Sequence, residues 1–117
     1  MASLGMDGPY KLSQGEIERN VTKISPGNYA LGHISDSTFI VNYVGRSDDD
    51  VRERLKDWLG SKYSDFKFSY ATSPKAAFEK ECRNYHDFGG SEKLDNDKHP
   101  QRPSGSGWKC PVCSIFD

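Results

Sequence analysis

No stretch of this chain approaches the roughly 20 consecutive apolar residues that a membrane-spanning helix needs, so no such span is expected. The amino-terminal region lacks the apolar block of a secretory leader, and a cytoplasmic setting is the expectation. Cysteine is scarce and odd in number. Cys82, Cys110 and Cys113 cannot close a complete disulfide framework, which leaves free thiols or metal ligands. Basic charge is not in excess: Lys and Arg number 16 against 17 Asp and Glu, a formal net charge of −1. That balance counts against a simple basic nucleic-acid binder, although a local patch can still set the field at a cleft. Arg46, Arg52, Arg54 and Lys56 are close enough in sequence to make one, and Asp48, Asp49 and Asp50 partly cancel it. Internal repeats and low-complexity tracts are also missing.

What remains suits one small domain with a modest core: 117 residues, 34% apolar and 28% charged. Residues 1–25 are sparse in apolar positions and read as an extension, loose over its first dozen residues, with a short helix over Glu16 to Lys23. Pro26-Gly27 then punctuates the chain. Tyr29, Leu31 and His33 alternate as in a strand, and Ser35-Asp36-Ser37 is turn chemistry. Thr38 to Val44 is β-branched and aromatic, which predicts the second strand of an antiparallel hairpin. Ser47 or Asp48 can cap a helix whose stripe is Val51, Leu55, Trp58 and Leu59, ended by Gly60. Phe66 to Tyr70 alternates as a third strand. Ser73-Pro74 opens a second helix that runs to about Phe88 and stops at Gly89-Gly90. A polar loop over 91–107 leads to Trp108 and the Cys110-Pro111-Val112-Cys113 knuckle. The order β-β-α-β-α predicts an α+β fold, a three-stranded antiparallel sheet with helices packed on it, over 26–100, with 101–117 as a tail on the domain.

Five pieces carry candidate chemistry: Gly27-Asn28-Tyr29, Tyr43-Val44-Gly45, Arg54, Glu81 and Asn96. Each has a plain structural reading. Strand tyrosines usually pack with the hydroxyl at the surface, helical Arg and Glu are usually solvated, and Asn96 suits a turn. Two phenols, a guanidinium and a carboxylate in this order can also cut a phosphodiester. With successive helix residues turned by about 100° and Phe78 at zero, Glu81 falls near −60°, on the apolar face, and Glu79 near +100°, at its margin. An acid aimed at a sheet needs a purpose. Periodicity does not separate Arg52 from Arg54.

In order and spacing the five pieces resemble the GIY-YIG nuclease superfamily, over about residues 26–97. The resemblance implies a small αβ domain that cleaves DNA with one divalent metal, Mg²⁺ or Mn²⁺. It favours Arg54, directly before Leu55, over Arg52, and Glu81 over Glu79. Glu81 would bind the metal and Arg54 the phosphate oxygens. Tyr29 or Tyr43 would position or deprotonate the attacking water, and Asn96 would fix local geometry. Arg46 would be a further phosphate contact. Asn28 departs from the usual apolar middle residue of the first motif, and the acidic loop between Tyr43 and Arg54 is one residue longer than the family pattern; its aspartates would repel DNA unless they point away or help hold the metal.

Cys110 and Cys113 make half of a zinc site, and Cys82 and His86, four apart on a helix, supply the other half. His99 competes as the fourth ligand. The alternative is a buried core cysteine at Cys82 and a metal-free knuckle. The expected function is thus metal-dependent, structure-selective DNA cleavage in repair or recombination, with DNA as partner and a targeting protein for recognition. The alternatives are an inactive nucleic-acid-binding or protein-interaction module of the same fold, or a zinc-stapled interaction protein. Oligomeric state is not legible.

Overall fold

The hairpin is the centre of the fold. β2 (Gly27–Ser35) and β3 (Thr38–Ser47) pair antiparallel and turn through Asp36 and Ser37, at φ of 49° and 64°. The computed structural model describes residues 4–116. Within them β4 (Asp65–Tyr70) pairs with the other side of β2, and β1 (Asp7–Lys11) pairs with β4, so the sheet order is β1-β4-β2-β3, antiparallel throughout.

The sheet therefore has four strands where the sequence predicts three, and residues 7–11, expected to be loose, form one of them. Tyr10 explains the addition: its ring packs on Phe66 and Phe68, with centroids 5.6 and 6.2 Å apart. The strand covers an otherwise open edge of β4, and an open edge is a liability. One apolar side chain among Asp7-Gly8-Pro9-Tyr10-Lys11 is too little alternation to announce a strand. Residues 1–3 of the expected loose segment lie outside the described residues.

The helices start where their caps dictate. Ser13 Oγ accepts from the Glu16 N–H and opens α1 (Gln14–Asn20), which ends three residues before the expected Lys23 as Val21 turns into the core. Asp50, not Ser47 or Asp48, caps α2 (Val51–Lys56), accepting from the N–H groups of Arg52 and Glu53. Ser47 Oγ takes the preceding N–H groups of Asp49 and Asp50. Ser73 caps α3 (Pro74–Asp87) as the sequence predicts. Gly89 and Gly90, at φ of 101° and 60°, end α3 and start a one-turn helix, α4 (Gly90–Lys93), inside the expected loop.

One face of the sheet buries Leu31, Phe66 and Phe68 with Ile17 and Val21 of the α1 region and Val51 and Leu55 of α2. The other face buries Ala30 and Val44 with Tyr85 of α3 and Leu94. A third cluster joins Phe78, Cys82 and Cys110, with Trp108 and Phe116, and so holds the tail on α3.

β3 is an edge strand, and the segment after α4 closes it. The Asp95 N–H donates to Asn42 O at 2.6 Å. Asn96 then uses its side-chain amide as a strand neighbour would use its backbone: Oδ1 accepts from the Val44 N–H at 3.0 Å and Nδ2 donates to Val44 O at 2.8 Å. Asn96→Ala strips both partners from a buried peptide unit. The expected loss is about 2 kcal/mol, read as a fall of roughly 8–10 °C in Tm by circular dichroism.

Candidate functional site

The hairpin register brings the two tyrosine motifs together. Tyr29 lies opposite Gly45, and Leu31 opposite Tyr43, so Tyr29, Tyr43 and Gly45 share one face. The Tyr29 ring lies across Gly45, where a Cβ would collide with it. Gly45 is therefore the space that the Tyr29 ring occupies. Gly45→Ala is expected to cost about 2 kcal/mol through overpacking, checked by urea denaturation.

Trp58 secures this wall. Its Nε1–H donates to Tyr29 Oη at 3.0 Å, and its ring lies 4.7 Å from that of Tyr43, with Tyr63 completing the cluster. Tyr63 in turn donates its hydroxyl proton to Asp95. Tyr29 is only 3% exposed, whereas Tyr43 is half-buried. Burial pushes both phenols above their ordinary range, and the Glu81 carboxylate adds to this at each. Both are protonated at neutral pH.

At the β3 edge this wall meets the opposite layer. Tyr29, Tyr43, Gly45, Arg46, Asp48, Asp49, Arg54 and Glu81 line an open cleft of about 290 Å³. Four of the five predicted residues thus converge. The fifth, Asn96, holds the β3 edge through Val44 and lines the adjoining hollow with Tyr43 and Glu81. Of the two α2 arginines, Arg54 lines the cleft; it is half exposed, with Asp57 4.0 Å away.

Glu81 points inward, as its helical phase predicts, and is 8% exposed. Its partner is Arg46, which the sequence offers only as part of a basic patch and as a phosphate contact. Arg46 Nη1 donates to Glu81 Oε1 at 2.6 Å, Nε to Asp48 Oδ1 at 2.9 Å and Nη2 to Gln101 O at 2.8 Å. Its guanidinium also lies 5.1 Å from the Phe78 ring centroid. Strand parity is the signal that finds it: Arg46 pairs with Asn28 and shares the α3 face with Val44, toward which Glu81 points. Burial opposes the Arg46 charge, but Glu81 and Asp48 outweigh it and hold the guanidinium above its ordinary range. Burial raises the Glu81 carboxyl, with Arg46 pulling against it. Two guanidiniums face three carboxylates in the cleft, a deficit that a bound cation would reverse.

Asn28, the departure from the usual motif, ties β2 to α3: its Nδ2 donates to Ala77 O at 2.9 Å.

A second cluster lies where the tail crosses α3. One ligand atom each from His86, His99, Cys110 and Cys113 falls within 4.8 Å of the others, a set that can hold a metal ion such as zinc. The Nε2 atoms of His86 and His99 are 3.1 Å apart, and Cys113 Sγ is 3.5 Å from His99 Nε2. Tetrahedral zinc spaces its ligand atoms by about 3.3–3.8 Å, close to these two separations. His99 Nδ1 donates to Pro100 O, which leaves Nε2 of the neutral ring free to ligate. Burial works against the Cys110 thiolate, but the N–H groups of Val112 and Cys113, with His99, bring the thiol down to about 6.

This set corrects the expected ligands. Both histidines belong to it and Cys82 does not. Cys82 is fully buried on α3 against Phe78 and Cys110, and burial with the neighbouring Cys110 pushes its thiol up. The i, i+4 spacing of Cys82 and His86 put both on one face, but the tail reaches that face beside His86 and brings His99 with it.

No protein-family model, curated protein or solved structure matches this chain. Among the described residues, no helix is long and apolar enough to cross a membrane.

Proposed function

We propose that the protein is a metal-dependent phosphodiesterase acting on DNA, with the β3-edge cleft as its active site. The observation that carries this reading is the convergence of Tyr29, Tyr43, Arg54 and Glu81 on one polar cleft from two strands and two helices. The resemblance to GIY-YIG nucleases points the same way. Carboxylate oxygens of Glu81 and Asp48 surround a cationic group in a part-buried setting, and such oxygens suit Mg²⁺ or Mn²⁺. When bound there, the metal would supply Lewis-acid stabilisation of the phosphoryl charge.

The chain's own residues do the rest. Arg54, exposed at the rim, takes the non-bridging phosphate oxygens. Tyr43, the more open of the two phenols, orients the attacking water through its hydroxyl. Tyr29 is held by Trp58 and supports that wall. The His/Cys cluster takes a structural zinc that staples the tail to α3, and elemental analysis is expected to find about one zinc per chain. Acids beside the cleft weaken DNA affinity, so targeting to a DNA substrate falls to a distorted or branched structure or to a partner protein.

Incubation with supercoiled plasmid and with branched duplexes, with Mg²⁺ or Mn²⁺, tests the reading. Metal-dependent nicking that is lost in Arg54→Ala supports it. Intact DNA in every metal and substrate sinks it. One observation favours a second reading: Arg46 already neutralises Glu81, as in a module that keeps the fold without the chemistry. That module would bind DNA in a salt-dependent way and cut nothing.

A further inference from the structure

The three donor groups of Arg46 are spread over three segments: Asp48 in the loop after β3, Glu81 on α3, and the Gln101 carbonyl in the tail. Its side chain is only 13% exposed, and the Glu81 side chain 10%. The guanidinium therefore sits where a cation shared by Glu81 and Asp48 would sit. Gln101 is two residues from His99, a member of the His/Cys cluster, and Pro100 between them accepts from the His99 ring. The tail cluster and the cleft are thus joined by one short, hydrogen-bonded path.

We infer that Arg46 is a built-in lock on the cleft: its guanidinium competes with divalent cations for Glu81 and Asp48, and the metal-stapled tail keeps it closed through Gln101 O. The inference rests on the reading of the cleft as a divalent-cation site. A cation entering the cleft displaces the guanidinium from Glu81, and the released Arg46 then faces the same cleft as a free positive group. The tail sets how readily this happens. A filled cluster holds residue 101 more firmly against Arg46, so emptying it weakens one of the three anchors.

Binding of Mn²⁺, followed by the loss of the free-ion electron paramagnetic resonance signal, tests this without reference to cleavage. The measurement uses the zinc-loaded full chain and its variants. Removing a competing buried charge is expected to tighten Mn²⁺ binding by about tenfold in Arg46→Gln. Arg46→Lys keeps the charge but cannot span three acceptors, and falls between the two; it carries the test if Arg46→Gln does not fold. The Cys110→Ser/Cys113→Ser double variant, with its tail unstapled, is expected to tighten binding about threefold. Glu81→Gln abolishes binding in every background. Mn²⁺ affinity unchanged or weaker in folded Arg46→Gln and Arg46→Lys overturns the lock. Unchanged affinity in the double variant overturns the tail's part in it. Mn²⁺ binding that survives Glu81→Gln overturns the cation site itself, and with it the proposed function, which separates that failure from failure of the lock.

Discussion

Under the proposed function, Glu81→Gln is expected to lower metal-dependent cleavage of DNA by about 10³-fold or more, with folding retained. The substitution is nearly isosteric and removes one charge. Glu81 Oε1 accepts from Arg46 Nη1, and a glutamine oxygen can still accept that hydrogen bond. The variant is not forced to bury an unpaired guanidinium, because Asp48 and Gln101 O also hold Arg46. Stability is thus expected to change by less than about 1.5 kcal/mol. The proposed catalysis has no such reserve. Asp48 and Asp49 line the same cleft, but Glu81 is the carboxylate that comes from α3 to meet the tyrosine wall. A quench-flow or gel assay on the preferred DNA substrate gives the rate, and a thermal melt run alongside shows that the fold is intact. Cleavage within a fewfold of wild type would remove Glu81 from the mechanism.

The second large effect concerns the His/Cys cluster. If the cluster holds the zinc proposed for it, chelation, or Cys110→Ser/Cys113→Ser, is expected to cost about 4 kcal/mol, which corresponds to a metal concentration about a thousandfold above its Kd. For a chain of this size, Tm falls by roughly 15 °C. The energetic reason is local. The tail contributes Trp108 and Phe116 against Phe78, with ring centroids 5.9 Å apart in each case, and Arg102 lies 4.9 Å from the Phe116 ring centroid. These contacts alone leave the 101–116 segment with a small apolar interface and no pairing with the sheet, so ordering it needs a staple. His86→Ala and His99→Ala are each expected to lower metal content, whereas Cys82→Ala leaves it unchanged. That contrast distinguishes the observed cluster from the ligand set read from the sequence. An unchanged melting temperature in chelator would mean that packing alone holds the tail.

The two effects are joined through Gln101, so their variants are expected to be non-additive in metal binding. Groups that share one hydrogen-bonded path rarely act independently.

Local chemistry determined much of this protein from its sequence. Ser73-Pro74 marked the start of α3, the β-branched run of Thr38–Val44 marked β3, and the phase of Glu81 along α3 marked an inward carboxylate. These signals work because caps, alternation and helical periodicity are set by residues within a few positions of one another. The tertiary structure decided what depends on distant partners. β1 exists because β4 had an edge to cover, and five mostly polar residues could not declare that on their own. Asn96 reads as a turn residue until its amide is seen to complete the edge of β3, 52 positions away. Arg46 is one charge among several in the sequence; only the packing of α3 on the hairpin puts it on Glu81. The candidate metal ligands divide the same way: spacing identified the Cys110–Cys113 pair and His86 and left His99 as a competitor, while the path of the tail over α3 admitted His99 and left Cys82 in the core. Sequence patterns report local geometry, and the exchange of one ligand for another is decided by where a loop lands.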